Sequence, residues 1–371
     1  MKVLLIGHYR DGTGWSQATI NYILALDAVG IDVVCRAVKL NAVQPNLPDR
    51  ILELEHKSSQ GCDTCIQFVL PHLMDYNGYF KKNIGLFMME TDSIIYTGWP
   101  SRLQTMDELW VTSENQVYPV IQAGLNKPKV VPIPADMSMF QQKYEPLEID
   151  VDGKFIFYFI GEFNRRKRVA ALLHAFHTEF STSEPVGLLL KCSSPRWNRD
   201  ELYQNVADTC RKIKDKLRLY PHIEQYHNEY VMSDYLSDTD LMRLHKKCHC
   251  FVMPSFGEAW CIVAFDAMAM GNAVVASNTG GMKDFLQGIG YMVQGTSEPV
   301  LGADTIFTDL HTGREQWFNI SINSLREQMR NAYENRGRNS ERKTHGIKRA
   351  YEYSYEKIGQ QMKELLNNVN D

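Results

Sequence analysis

Glu258 and Asp266 stand with seven residues between them inside one of the most apolar stretches of the chain, PSFGEAWCIVAFDAMAMGNAVVAS over 254–277. Well upstream, Arg165, Arg166, Lys167 and Arg168 form an unbroken run of four bases. Such a set can divide the work of holding a ligand that carries both phosphates and hydroxyls. Cations neutralise phosphate oxygens, and ionised carboxylates accept hydrogen bonds from hydroxyls. If a strand ends at Pro254 and a helix begins near Cys261, Glu258 occupies the loop between them and Asp266 the second turn of the helix. The backbone amides of Ala259, Trp260, Cys261 and Ile262 are then the unpaired donors of a helix start, a ready place for a phosphate or diphosphate. The plainer reading sets Glu258 beside the helix dipole, puts Asp266 on a solvated face and makes the four bases a solvated helix start. Cations at a helix N-terminus oppose the dipole, however, and a bound anion would offset that cost.

Other stretches offer weaker chemistry. DGTGWS over 11–16 follows the first apolar run and opens a helical pattern, but it lacks the G-x-G-x-x-G spacing, which disfavours a nicotinamide site. His8, from the same strand end, is either a site residue or a structural histidine. Asp238-Thr239-Asp240 spells D-x-D, yet Ser237 and Asp238 read better as a helix N-cap, and no metal site is expected. Cys62 and Cys65 form a C-x-x-C, and Cys248-His249-Cys250 precedes a strand, without a second pair at zinc spacing. Reduced thiols in the interior and in a loop are expected.

The elements that must position these residues follow from periodicity. KVLLIG (2–7), IDVVCRAV (31–38), CIQFVL (65–70), NIGLFMM (83–89), ELWVTS (108–113) and KVVPIP (129–134) read as buried strands, with helical segments between several of them. A polar stretch, 135–153, reads as a linker. The pattern then restarts with strands at 155–161, 186–192, 249–255 and 272–277 and helices near 167–180, 199–217, 238–247 and 261–271. The tail from about 314 to 368 reads as helical. This is an α/β chain with two successive doubly wound units and ligands at the strand C-termini.

Composition limits the function classes. At 371 residues the chain exceeds what one core readily fills, so a cleft between two domains is expected. With 44% hydrophobic and 23% charged residues it is an ordinary globular chain. The net charge of -4 supplies no general attraction to nucleic acid or an anionic membrane. No run of about 20 apolar residues is present, and the N-terminal apolar run is too short for a signal peptide, so a soluble, cytoplasmic protein is expected.

The 254–276 stretch resembles the signature of retaining GT-B glycosyltransferases of family 4 (glycosyl transferases group 1), in which two acids separated by seven residues precede A-M-A-x-G-x-P-V. GEFNRRKRVAALLHAF resembles that family's phosphate-binding lysine segment, and LSDTDLMRLHKKCHCFVMPS the segment before the acidic motif. ELWVTSENQVYPVIQAGLNKPKVVPIPADMSMF is similar to the end of its N-terminal domain. The resemblance implies a GT-B fold of two Rossmann-like domains facing across a cleft. Residues 1–134 would form the acceptor-side domain, 135–153 the linker and 154–350 the nucleotide-sugar domain, with the helix in 351–371 packing back on the first domain.

It also implies roles. Lys167, with Arg168, contacts the donor phosphates; Glu258 contacts the donor sugar and Asp266 the ribose hydroxyls. The second acid is usually Glu, so Asp266 is one methylene short. The family's Arg after the strand-end Gly is Glu162 here, so that contact falls to Arg165 or Arg166 or is missing. Gly12, Thr13 and Gly14 flank the diphosphate and acceptor, while Gly280 and Gly281, with Asp284, match the G-G-x-x-[ED] loop beside the donor sugar. Glu90 or Asp92 stands where members often carry a His, which makes Glu258, Lys167 and Glu90 the expected catalytic set. The implied reaction moves a hexose or related sugar from a UDP- or GDP-sugar to an acceptor hydroxyl, with no cofactor or metal required. A nucleotide-sugar epimerase of this fold, a DNA-modifying glycosyltransferase or an inactive nucleotide-sugar-binding protein are the alternatives, and the acidic balance disfavours nucleic acid.

Overall fold

Aliphatic runs buried on both faces become parallel strands, and the periodic segments between them become the helices that cover the sheets. This computed structural model describes residues 1–42, 45–151, 153–303, 311–337 and 340–368. Two compact units are present: Met1–Met139 with Phe307–Gln316 and Ala350–Asp371, and Phe140–Ile306 with Trp317–Arg349.

The first unit holds β1 (Lys2–Gly7), β2 (Asp32–Ala37), β3 (Thr64–Phe68), β4 (Lys82–Phe87), β5 (Glu108–Val111) and β6 (Lys129–Val130) in the order β2-β1-β3-β4-β5-β6. Its pairings are parallel. β6 is shorter than the apolar run KVVPIP because Pro132 and Pro134 have no N–H to give to a ladder. The helix Gly14–Ala28 is buried along most of its length, and the helix Tyr355–Asn367 packs against it. Gly359 permits the close approach: a Cβ there would stand 2.2 Å from the Ala25 carbonyl oxygen.

The second unit holds β7 (Phe155–Glu162), β8 (Val186–Ser193), β9 (Glu229–Met232), β10 (Cys250–Met253), β11 (Ala273–Ser277) and β12 (Tyr291–Val293), ordered β12-β11-β10-β7-β8-β9. These pairings are parallel too. Phe157, Tyr158, Phe159, Phe176 and Phe251 fill its core. β9 and β12 escape the sequence reading because they are short edge strands. β13 (Gly295–Pro299) and β14 (Gln316–Ile320) form a separate two-stranded sheet. The helical tail therefore begins at Ile322 rather than near 314: Trp317 is buried and stacks on Phe256, with ring centroids 5.0 Å apart.

In each sheet the strand order reverses at one place, between β1 and β3 in the first and between β7 and β10 in the second. Loops leaving the strand C-termini diverge there and open a crevice, the usual ligand position in such sheets. Among the described residues, no helix is long and apolar enough to cross a membrane.

Candidate active site

The two loops at the second sheet's switch point are tied together through their backbones. The Asn164 side-chain oxygen accepts the Lys167 N–H at 3.1 Å, and the Arg165 carbonyl accepts the Arg168 N–H at 3.2 Å, closing the turn after β7. The Arg166 carbonyl accepts the Phe256 N–H at 2.9 Å and the Ser255 hydroxyl at 3.2 Å, so the loop after β10 is fixed to that turn.

This docking brings together acid and bases that lie far apart in sequence. Arg166 Nη1 donates to Glu258 Oε1 at 2.7 Å and to the Gly257 carbonyl at 2.6 Å, and Lys167 Nζ donates to the same Glu258 oxygen at 2.7 Å. Glu258 is 6% exposed. Burial pushes its carboxyl upward, but the Lys167 ammonium and the Arg166 guanidinium override this and hold it well below the usual carboxylate range. Two cations against one carboxylate leave a net positive charge. Of Arg165 and Arg166, it is Arg166 that reaches Glu258. An Arg165 guanidinium nitrogen instead lies over Gly302, while Arg168 lies over the Phe256 ring at 4.4 Å and donates to the Ile320 carbonyl at 3.3 Å.

Left-handed backbone marks both helix starts at this crevice. Arg168 (φ 55°) precedes the helix Val169–Glu179, Cys261 (φ 77°) precedes the helix Ile262–Ala269, and neither caps its helix with a side chain. That conformation costs a non-glycine residue about 1–3 kcal/mol and tends to persist where function needs it. The N–H groups of Cys261, Ile262 and Val263 have no partner among the described residues. Burial raises the Cys261 thiol to about 12, with Glu258 adding to the shift, so it is no nucleophile at neutral pH.

Asp266 behaves differently from Glu258. It is partly buried, and its carboxylate has no hydrogen-bond or ion-pair partner among the described residues. Burial first, and the like charge of Asp238 second, push it up to about 8. In the free protein Asp266 is therefore largely protonated at neutral pH, rather than the standing anion its residue type suggests.

Gly280 and Gly281 have a packing reason to be glycine. Gly280 has φ +62°, and a Cβ there would fall 1.8 Å from the Glu258 carbonyl oxygen. Gly281 donates its N–H to that oxygen at 3.2 Å, and a Cβ on it would strike Ala259 and Trp260. The pair seats the backbone of the next loop directly on Glu258, Ala259 and Trp260.

In the first unit, Gly12 (φ 65°), Thr13 and Gly14 form the loop after β1, and the Thr13 hydroxyl accepts the Ser16 N–H at 3.3 Å as the N-cap of the helix Gly14–Ala28. His8 is structural: Nδ1 donates to the Val38 carbonyl at 2.7 Å and Nε2 accepts the Leu70 N–H at 3.0 Å, bridging the loops at that sheet's switch point. Asp92 is committed to the backbone, accepting the Gln316 N–H at 2.6 Å, whereas Glu90 lies partly buried beyond β4.

Ser237 caps the helix Asp238–Lys247 by accepting the Asp240 N–H, and Asp240 pairs with Arg243. Among the described residues no three His, Cys, Asp or Glu side chains gather as a metal-binding group. All eight cysteines are free thiols. One residue that sequence reasoning passed over is Lys191, near the C-terminal end of β8 and only 7% exposed. Its Nζ donates to the Cys192 carbonyl at 3.2 Å and meets no carboxylate among the described residues, and burial lowers its pKa. A charge inside the apolar run VGLLLKC was the available signal, the same kind that singled out Asp266.

Solved structures similar over the whole chain define the fold class. Sucrose-phosphate synthase from Thermosynechococcus elongatus aligns with a TM-score of 0.67 and 15% identity, covering 100% of this chain and 99% of its own. Anabaena HepE in complex with UDP-glucose gives 0.65 and 12%, and an E. coli trehalose-6-phosphate structure bound with UDP-2-fluoro glucose gives 0.67 and 10%, each covering 100% of both chains. The two doubly wound sheets are the GT-B fold. Residues 142–294 match the family Glycosyl transferases group 1, a span that contains Arg166, Lys167, Glu258, Asp266, Gly280 and Gly281. That span lies within the second unit. No curated protein matches the chain in sequence.

Proposed function

We propose that the protein is a retaining glycosyltransferase that moves a hexose, glucose being the first choice, from a UDP-sugar to an acceptor hydroxyl without a metal ion. The observation that carries this reading is the buried Glu258 held by Lys167 and Arg166 beside the open amides of Cys261 and Ile262. The presence of UDP-glucose and UDP-2-fluoro glucose in two similar structures supports the choice of donor.

The difficult event is departure of the nucleoside diphosphate, whose charge grows in the transition state. Lys167, Arg166 and the amides at the start of the helix Ile262–Ala269 meet that charge, an electrostatic contribution already organised before the donor arrives. Glu258, kept ionised by its two bases, accepts a hydrogen bond from a sugar hydroxyl through the oxygen they leave open. Asp266 is the acceptor for the ribose hydroxyls. As a neutral acid it can also donate one bond, and binding of a polar ligand would draw its pKa back down.

The test is release of UDP from UDP-glucose in chelator-treated buffer, with and without a panel of sugar acceptors. Acceptor-dependent release that falls about 10²- to 10³-fold in Lys167→Ala is expected, the usual effect of removing one transition-state donor. Release independent of any acceptor, or undiminished in Lys167→Ala, would overturn the assignment.

A further inference from the structure

We propose that the second unit carries an additional binding site, for a phosphate monoester, at the N-terminal edge of its sheet. A cavity of about 500 Å³ lies where β7, β8, β10 and β11 begin, lined by Lys154, Phe155, His249, Tyr333, Arg336 and Lys343 among others. Glu258, Lys167 and Gly280 follow the opposite ends of these parallel strands. The eight residues of β7 separate the two ends by about 25 Å at the usual rise per residue.

Among the described residues the lining carries three cations and no carboxylate, in a chain whose net charge is -4. Arg336 stacks over Tyr333 at 4.0 Å and gives one N–H to that residue's carbonyl at 2.7 Å. The rest of its guanidinium, and the Lys343 ammonium, have no partner among the described residues. Lys154 Nζ reaches the Tyr230 hydroxyl at 3.3 Å. Glu184, beside the lining residue Pro185, does not offset this charge, because Arg330 engages its carboxylate. His249 adds a directed donor: its Nδ1 accepts the Ile156 N–H at 3.0 Å, so the neutral ring carries its proton on Nε2. The same ring stacks on Phe155, with centroids 5.0 Å apart.

Several convergent cations and N–H donors suit a dianionic phosphate. The volume falls in the range of small-molecule sites and exceeds what a bare ion fills, and the rings of Phe155, His249 and Tyr333 give the organic part a surface. A sugar phosphate and a nucleoside monophosphate share this chemistry.

Isothermal titration of the full chain at low salt with glucose 6-phosphate, AMP and inorganic phosphate tests the site, using wild type, the double variant Arg336→Gln/Lys343→Gln, and Lys167→Ala. Saturable binding of one of the two monoesters is expected. It should weaken at least tenfold in the double variant and persist in Lys167→Ala, and the tighter probe identifies the organic part. Lys343→Gln alone, at an exposed position, replaces the double variant if the latter melts early. Three results would overturn the proposal: no binding of either monoester at millimolar concentration, binding lost in Lys167→Ala but kept in the double variant, or inorganic phosphate binding as tightly as both monoesters.

Discussion

Glu258 is an acid kept ionised by two bases, whereas Asp266, two turns into the same segment, is an acid left alone. Their pH behaviour should differ in sign. Glu258 has a lowered pKa in the folded chain, so its pairing stabilises the protein above the unfolded value and is lost as pH falls through the folded one. Asp266 has a raised pKa, so the folded chain holds a proton that the unfolded chain has released. Stability is then full below the unfolded value of about 3.9 and declines as pH rises toward 8. Asp266→Asn should therefore raise the melting temperature at pH 8 and leave it nearly unchanged at pH 4, while weakening UDP-glucose binding through loss of an acceptor. An equal shift at both pH values would contradict the assignment. Glu258→Gln leaves two cations facing each other and should destabilise the free protein by about 3 kcal/mol. Because a diphosphate supplies the missing negative charge, the deficit should shrink in the presence of UDP, which a thermal melt with and without UDP would show.

The loops matter as much as the side chains they carry. Gly280→Ala places a methyl against the Glu258 carbonyl at a positive φ, and should cost about 1–3 kcal/mol with a matching loss of donor binding. Denaturant titration checks this, and an unaltered midpoint would mean the loop can shift freely. Most strands of both sheets were legible because a parallel strand buried on both faces writes itself as an unbroken apolar run. The helices Arg199–Leu217 and Asp238–Lys247 were legible from period and capping residues. β9, β12 and the β13–β14 pair were not, since short edge strands and a two-stranded sheet carry few apolar positions. Glu258 and Lys167 were found from a motif, but their direct pairing was not. It depends on the Arg166 carbonyl joining the loops after β7 and β10, a contact between residues about ninety apart that no local pattern encodes. Nor was the neutral state of Asp266 readable, because burial rather than residue type sets it.

Across the whole chain, two sheets of the same doubly wound kind each open a crevice at one reversal of strand order, and the second crevice holds the charged cluster. A ligand present at a hundred times its dissociation constant stabilises the state that binds it by about 2.7 kcal/mol, so donor binding should register in global unfolding. The most direct test of the central claim is calorimetric titration of metal-free protein with UDP-glucose, wild type against Lys167→Ala. The account predicts one saturable site in the wild type, weakened at least tenfold in a Lys167→Ala protein that remains folded. Equal affinity in the two proteins, or no binding in the wild type, would contradict it.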